Sequence, residues 1–263
     1  MSFEITARTG LLGLLGHPVG HSVSPFIHNR LAQHFGHDLR YLAYDVDPGD
    51  LKAAVEGAYA LKVKGLNVTV PHKQAVRAFL TSEDEAAARI GAVNTLKREA
   101  DGWHGYNTDM PGFMRALKSD GVDLKGRKAV VLGAGGAARA VVCAVIESGA
   151  DKLFIYNRTY ERAKALADDI LAIYPDADVV CASSSDALTG LMRAEGEQFV
   201  AINTTSVGMH PDTDAKLIDD SCFYELCDTG VDIIFNPVKT QFMKAIRSAG
   251  DGKRACTGVS SPQ

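Results

Sequence analysis

The sequence predicts an α/β protein of two open α/β domains with a cleft between them, on three observations. Short apolar runs alternate with segments of helical periodicity. An Asp-Gly hairpin signal at Asp101-Gly102 interrupts that alternation before the middle of the chain, and a second alternating series opens at Ala129. The 263 residues, 46% hydrophobic and 23% charged, are enough for two cores and exclude disorder, collagen and coiled coil.

Taken in order, residues 11–16 read as a buried strand and 25–35 as a helix, with Pro25 at its first position and Phe26, Ile27, Leu31 and Phe35 at helical intervals. Residues 41–46 predict a strand and 51–60 a helix. A strand at 65–70 is stopped by Pro71, and a helix follows over 72–80 with Lys73 in its first turn. Residues 92–97 and 103–107 form the arms of the hairpin, where the domain boundary is placed. Residues 112–119 are helical. Apolar strands are then expected at 129–132, 153–156, 179–182, 199–203 and 231–235, with helices between them.

A formal net charge of -4 gives no global footprint for nucleic acid. No apolar run approaches the roughly 20 residues of a membrane span. Glu4 ahead of 11–15, with no small-residue cleavage site behind it, argues against a signal peptide, so a cytoplasmic location is expected. Five scattered cysteines make no disulfide framework, and His17, His21 and His28 lack partners at a metal spacing, so no metal is expected.

The strand at 129–132 runs into Gly133-Ala134-Gly135-Gly136-Ala137-Ala138 and then an Ala/Val-rich helix. This is G-x-G-x-x-A in a strand-turn-helix setting, which predicts a Rossmann-type dinucleotide site. Gly133 permits the tight turn, Gly135 lets a pyrophosphate approach the backbone, and Ala138 allows close helix packing. The next strand ends in Asn157-Arg158-Thr159, where an NAD site would offer an acidic residue. Arg158, with Arg162 one turn on, suits the 2'-phosphate of NADP, and solvated arginines are the alternative.

Three polar clusters lie in the first half. In Ser22-Val23-Ser24-Pro25, Ser24 reads as an N-cap and Ser22 is left over; two hydroxyls beside a helix N-terminus also form a carboxylate site. Period two puts Asn67 and Thr69 on one strand face, and Lys73 follows the strand's carboxyl end, where such sheets bind ligands. Asp109 reads as a helix cap or, with Lys73, as half of a proton-transfer pair.

In this combination the chain resembles the shikimate dehydrogenase family. The resemblance rests on Ser22 to Pro25 with His28-Asn29, Asn67 to Lys73, Ala92 to Thr95, Asn107-Thr108-Asp109, Gly133 to Ala138, Asn157 to Thr159, Asn203 to Met209 and Asn236 to Thr240, and it covers roughly residues 10–247. It implies reversible NADPH-dependent reduction of 3-dehydroshikimate to shikimate in aromatic amino-acid biosynthesis. It further implies a substrate and catalytic domain at 1–104, an NADP-binding domain at 105–239, and a segment after about 240 that returns to the first domain. Ser22 and Ser24 would bind the substrate carboxylate. Asn67, Thr69, Asn94 and Asp109 would hold ring hydroxyls, and Lys73 and Asp109 would be the catalytic pair. Asn157, Arg158, Thr159 and Arg162 would hold the adenosine phosphate, while Thr204, Ser206, Val207, Gly208 and Met209 would lie by the nicotinamide. The partners are small molecules, a homodimer is compatible, and neither nucleic acid nor membrane is expected.

Two departures stand out. The family's tyrosine before Asn-Pro is Phe235 here, which removes one candidate hydrogen bond of about 0.5 to 1.5 kcal/mol. After Gly250 the family's Met/Leu-rich helix and its substrate-contacting glutamine give way to an atypical stretch, and Gln263 does not match that role. A frame change near Gly250 would account for it, since Asp251 to Arg254 can be encoded by GAT-GGA-AAA-CGG, which one nucleotide later reads Met-Glu-Asn-Gly. A quinate/shikimate dehydrogenase of dual specificity and a noncatalytic ligand-binding relative remain the alternatives.

Overall fold

The computed structural model describes residues 4–196 and 198–258. The chain divides into two compact units, Met1–Thr108 and Asp109–Gln263. This division falls four residues beyond the expected boundary at 104.

In the first unit, β1 (Gly10–Gly16) leads through α1 (Ser24–His34) to β2 (Leu39–Asp45), and α2 (Leu51–Ala60) leads to β3 (Gly65–Val68). Then come β4 (Ser82–Glu83), α3 (Glu85–Ile90) and the hairpin of β5 (Thr95–Glu99) and β6 (Gly102–Tyr106). The sheet order is β2-β1-β3-β5-β6-β4, with β1 parallel to both β2 and β3. Because the chain leaves β1 to one side for β2 and returns to the other for β3, the order reverses at β1. Loops beyond the carboxyl ends of β1 and β3 therefore share one crevice edge. The core beneath is Leu15, Leu51, Val55, Leu66, Val68, Val76, Leu96 and Trp103, and the Trp103 indole donates to the Val55 carbonyl at 3.0 Å.

One expectation fails in this unit. Residues 72–80 make no α-helix; turns cover 70–74 and a 3-10 helix spans Ala75–Phe79, since i→i+3 bonds such as Arg77 N–H to Gln74 O close the segment. On α1, Phe26, Ile27 and Leu31 are exposed, as is Phe35 just past its end, and only Ala32 is buried. Asn29 takes the sheet-facing position, its amide bonding the backbone N–H and C=O of Tyr41 at 3.0 and 2.8 Å.

The second unit opens with α4 (Asp109–Ser119) and continues β7 (Lys128–Leu132), α5 (Gly136–Glu147), β8 (Lys152–Tyr156), α6 (Tyr160–Ile173), β9 (Val179–Ala182), α7 (Ser185–Glu195) and β10 (Phe199–Asn203). It ends with α8 (Ser221–Glu225), β11 (Cys227–Asp232), α9 (Gln241–Ser248) and β12 (Arg254–Thr257). All six strands are parallel in the order β12-β11-β10-β7-β8-β9, the dinucleotide-binding order, with its reversal between β7 and β10. Buried on both faces, β7 and β10 read as unbroken apolar runs. Ser184, Asp220 and Thr240 cap α7, α8 and α9.

Residues 241–258 pack within this second unit. Phe242, Met243 and Ile246 of α9 enter its core, and β12 pairs with β11 from Thr229↔Arg254 to Asp232↔Thr257. Arg247 donates to the Ala255 carbonyl at 2.6 Å, and Lys253 reaches the carbonyls of Glu225 and Cys227 that end α8 and begin β11. Residues 254–257 thus belong to the sheet of the second unit. Gln263 lies outside the described residues.

Candidate active site

Each unit carries polar side chains at the carboxyl ends of its central strands. In the first, the β1 loop is tied to its neighbours: His17 N–H donates to Val70 O at 2.9 Å, and the His17 ring meets the Asp45 carboxylate at 2.6 Å. That hydrogen bond holds the imidazole above its ordinary value. Buried His72 bonds the Val46 carbonyl at 2.7 Å.

Ser24 is not the N-cap of α1. The helix begins at Ser24 itself, no side chain caps it, and the Ser24 N–H instead donates to Ser22 Oγ at 3.2 Å. Capping therefore leaves the Ser24 hydroxyl unexplained, and the pair stays available at a helix N-terminus, the setting that suits a carboxylate.

Asn67 and Asn94 belong to one hydrogen-bonded cluster. Tyr41 Oη donates to Asn67 Oδ1 at 2.8 Å, Asn67 Nδ2 donates to Thr95 Oγ1 at 3.3 Å, and Thr95 Oγ1 donates to Asn94 Oδ1 at 2.9 Å. Thr108 completes it, its N–H donating to Asn94 Oδ1 at 3.0 Å. Thr69 lies just past β3, its N–H still on Leu15 O at 2.8 Å. Lys73 is held beside this cluster by its backbone, whose carbonyl accepts from Val93 N–H at 2.8 Å, next to Asn94. Tyr41 and Thr95 were missed in the sequence. Tyr41 looks like a core aromatic, and only its 4.3 Å stack on His28 and its bond to Asn67 reveal a polar task. Burial pushes its phenol up and the His28 imidazole down, so both stay neutral near pH 7.

In the second unit, Gly133 sits at φ +120°, and a Cβ there would lie 2.5 Å from Thr204 Oγ1. Gly135 is different: at φ -89° and ψ -172° it could be any residue, and a Cβ there would meet nothing within 4 Å. A glycine that the fold does not need, placed before the N-terminus of α5, fits a dinucleotide whose phosphates come close to the backbone. Gly136 and Ala137 begin the helix, Ala134 lies in the turn between Gly133 and Gly135, and Ala138 is fully buried.

Asn157 Nδ2 donates to Thr159 O at 2.9 Å and shapes the turn after β8. Arg158 and Arg162 are exposed and make no side-chain hydrogen bond or ion pair among the described residues, which leaves both guanidiniums for an external phosphate. Thr204, Ser206, Val207, Gly208 and Met209 follow β10 across the order reversal from the Gly133 turn. Thr204 is buried and its hydroxyl donates to Leu132 O at 2.8 Å, so it shapes the turn with its side chain already engaged. Asp109 is the first residue of α4.

Both units are similar to known proteins. Residues 14–96 match the model described as shikimate dehydrogenase substrate binding domain, and residues 115–188 match shikimate / quinate 5-dehydrogenase. A shikimate dehydrogenase (NADP(+)) of Moorella thermoacetica is 44% identical over 98% of this chain and 84% of its own. The shikimate 5-dehydrogenase of Thermus thermophilus, solved with NADP(H) and shikimate, superposes with a TM-score of 0.78 at 34% identity, over 95% of this chain and 87% of that one. A quinate dehydrogenase from Corynebacterium glutamicum, solved with NAD, gives 0.80 at 31% identity, over 95% and 88%. With an alignment along nearly its whole length and both domain models matched in order, the chain belongs to the shikimate dehydrogenase family of oxidoreductases.

Proposed function

We propose that this enzyme catalyses the reversible NADP-dependent reduction of 3-dehydroshikimate to shikimate on the route to chorismate and the aromatic amino acids. The observation that carries the cofactor half is the pairing of the open Gly135 cradle with two unengaged arginines after β8. Gly133 to Ala138 and the start of α5 would hold the pyrophosphate, Asn157 to Thr159 with Arg162 the adenosine phosphate, and Thr204 to Met209 the nicotinamide side. When bound, NADPH supplies hydride to the substrate carbonyl carbon.

The chain's own residues do the rest. Ser22 and Ser24 bind the substrate carboxylate by hydroxyl donation at the head of α1. Asn67, Thr69, Asn94 and Asp109 hold ring hydroxyls, and the amides of Asn67 and Asn94 are pre-oriented by Tyr41, Thr95 and Thr108. Lys73 Nζ delivers the proton to the carbonyl oxygen in reduction and receives it in oxidation, with the Asp109 carboxylate orienting the ammonium. Five free thiols suit the reducing cytoplasm as its location.

Phe235 favours a second reading. It is 57% exposed where the family resemblance would put a tyrosine hydroxyl, so discrimination between shikimate and quinate has one hydrogen bond fewer to draw on. A steady-state assay of shikimate and quinate, each with NADP and NAD, tests both readings. Shikimate with NADP is expected to give the highest kcat/KM; equal rates on quinate favour dual specificity, and silence in all four from folded protein refutes the enzyme reading.

A further inference from the structure

The end of β11 holds a carboxylate that no step above uses. Asp232 is fully buried, and no cation pairs with it among the described residues. Burying such a group is costly unless donors surround it. Three do: Asn203 Nδ2 donates to Oδ1 at 3.1 Å, Ile234 N–H to the same oxygen at 3.0 Å, and Thr240 Oγ1 to Oδ2 at 2.6 Å. These donors come from the end of β10, from the chain leaving β11 and from the cap of α9. Both oxygens act as acceptors, and because Thr240 Oγ1 also accepts from Met243 N–H at 3.2 Å, an amide in place of the carboxylate would set its NH₂ against a hydroxyl that already holds a backbone donor.

The consequence runs through Asn203, itself fully buried. Because the Asp232 carboxylate only accepts, it fixes which way the Asn203 amide points: Nδ2 toward Asp232 and Oδ1 toward the next turn. There Oδ1 accepts from both the N–H and the hydroxyl of Thr205 at 2.9 Å, and Thr205 Oγ1 accepts from Val207 N–H at 3.1 Å. A flipped amide would set its NH₂ against the Thr205 N–H, donor against donor. On the other side of Asn203, Thr204 bonds the end of β7 through both its N–H and its hydroxyl. A continuous buried strut thus links α9, β11, β10 and β7 at the sheet's order reversal.

We propose that Asp232 is a positioning residue for the redox half of the site: without touching a ligand, it sets the 204–209 turn through the Asn203 amide. The inference rests on the assignment of that turn to the nicotinamide side. Its first test does not require activity. Hydrogen exchange in the ligand-free protein is compared between wild type, Asp232→Asn and Thr205→Val, the last retaining the buried carboxylate. In Asp232→Asn, exchange over 204–209 is expected to speed up about tenfold, the scale of one local hydrogen bond, while residues 128–156 are unchanged. Thr205→Val is expected to show the same local signature, and the double variant less than the product of the two. In turnover, Asp232→Asn is expected to lower kcat about tenfold or more through misplacement, with NADP affinity within about threefold. Wild-type exchange and kcat in Asp232→Asn would overturn the proposal. So would a rise spread equally over 128–156, which would make the carboxylate a support of the fold alone. Loss of NADP-linked shikimate turnover in the wild type would defeat the function proposed above, while the exchange data would still decide the strut.

Discussion

Replacing Gly135 by alanine separates a glycine kept for a ligand from one kept for the fold. At φ -89° and ψ -172°, with nothing within 4 Å of the new Cβ, the folded chain has little to lose. The remaining cost is the poorer N-cap preference of alanine, under about 1 kcal/mol. The same methyl occupies the space through which a phosphate would reach the N–H groups of α5. Losing one charge-assisted hydrogen bond costs about 1.5 to 3 kcal/mol, or roughly 10- to 150-fold in affinity. Gly133→Ala is the contrast. An L-residue at φ +120° is strained by about 1 to 3 kcal/mol. Forcing a Cβ to 2.5 Å from the hydroxyl of buried Thr204 adds about 1 to 3 kcal/mol more. Denaturant unfolding without ligand and calorimetric titration with NADP, run on both variants, read the two effects. Gly133→Ala should lose stability, and Gly135→Ala should lose affinity while keeping its stability. NADP binding within threefold of wild type in Gly135→Ala, or a stability loss above about 2 kcal/mol there, would refute the cradle.

Lys73→Met and Asp109→Asn should each lower kcat by about 10²- to 10⁴-fold, while shikimate binding, followed by titration, changes little in Lys73→Met and weakens about tenfold or more in Asp109→Asn, whose carboxylate also holds a ring hydroxyl; a loss confined to KM would remove them from proton transfer. Arg158→Gln should raise KM for NADP about 10- to 100-fold and leave KM for NAD nearly unchanged, and an equal effect on both dinucleotides would contradict the 2'-phosphate assignment. The raised His17 value means that protonated His17 favours the folded state. Its contribution is therefore full below the ordinary value of 6.5 and disappears as the pH climbs past the raised one. Thermal melts of wild type and His17→Gln should differ at pH 5.5 and converge by pH 9, whereas a gap constant with pH would break the link to Asp45.

Much of the second domain was legible in the chain. The β7-turn-α5 unit announces itself because strand length, a glycine at positive φ and a small residue facing the sheet are all local requirements. Where local signals competed, the reading slipped. Ser24 has every mark of an N-cap, yet the helix starts one residue earlier than that role needs. The apolar run at 231–235 suggests a strand, but β11 is Cys227–Asp232, because the Asp232 carboxylate takes the Ile234 N–H and turns the chain out of the ladder. Lys253 to Gly258 has no apolar periodicity, and it becomes an edge strand through backbone pairing with β11 that side-chain pattern does not record.

The sequence alone determined the two α/β series, the dinucleotide turn, the arginines that follow it and the family, since each depends on spacing within a few residues or on the order of such motifs. Tertiary structure decided that Tyr41 serves Asn67, that Asn203 and Asp232 join three strand ends to α9, and that the segment after 240 closes the second sheet. Sheet order brings those groups together from 26 to 29 positions apart, and burial then makes each unmet hydrogen bond costly enough to fix its partner.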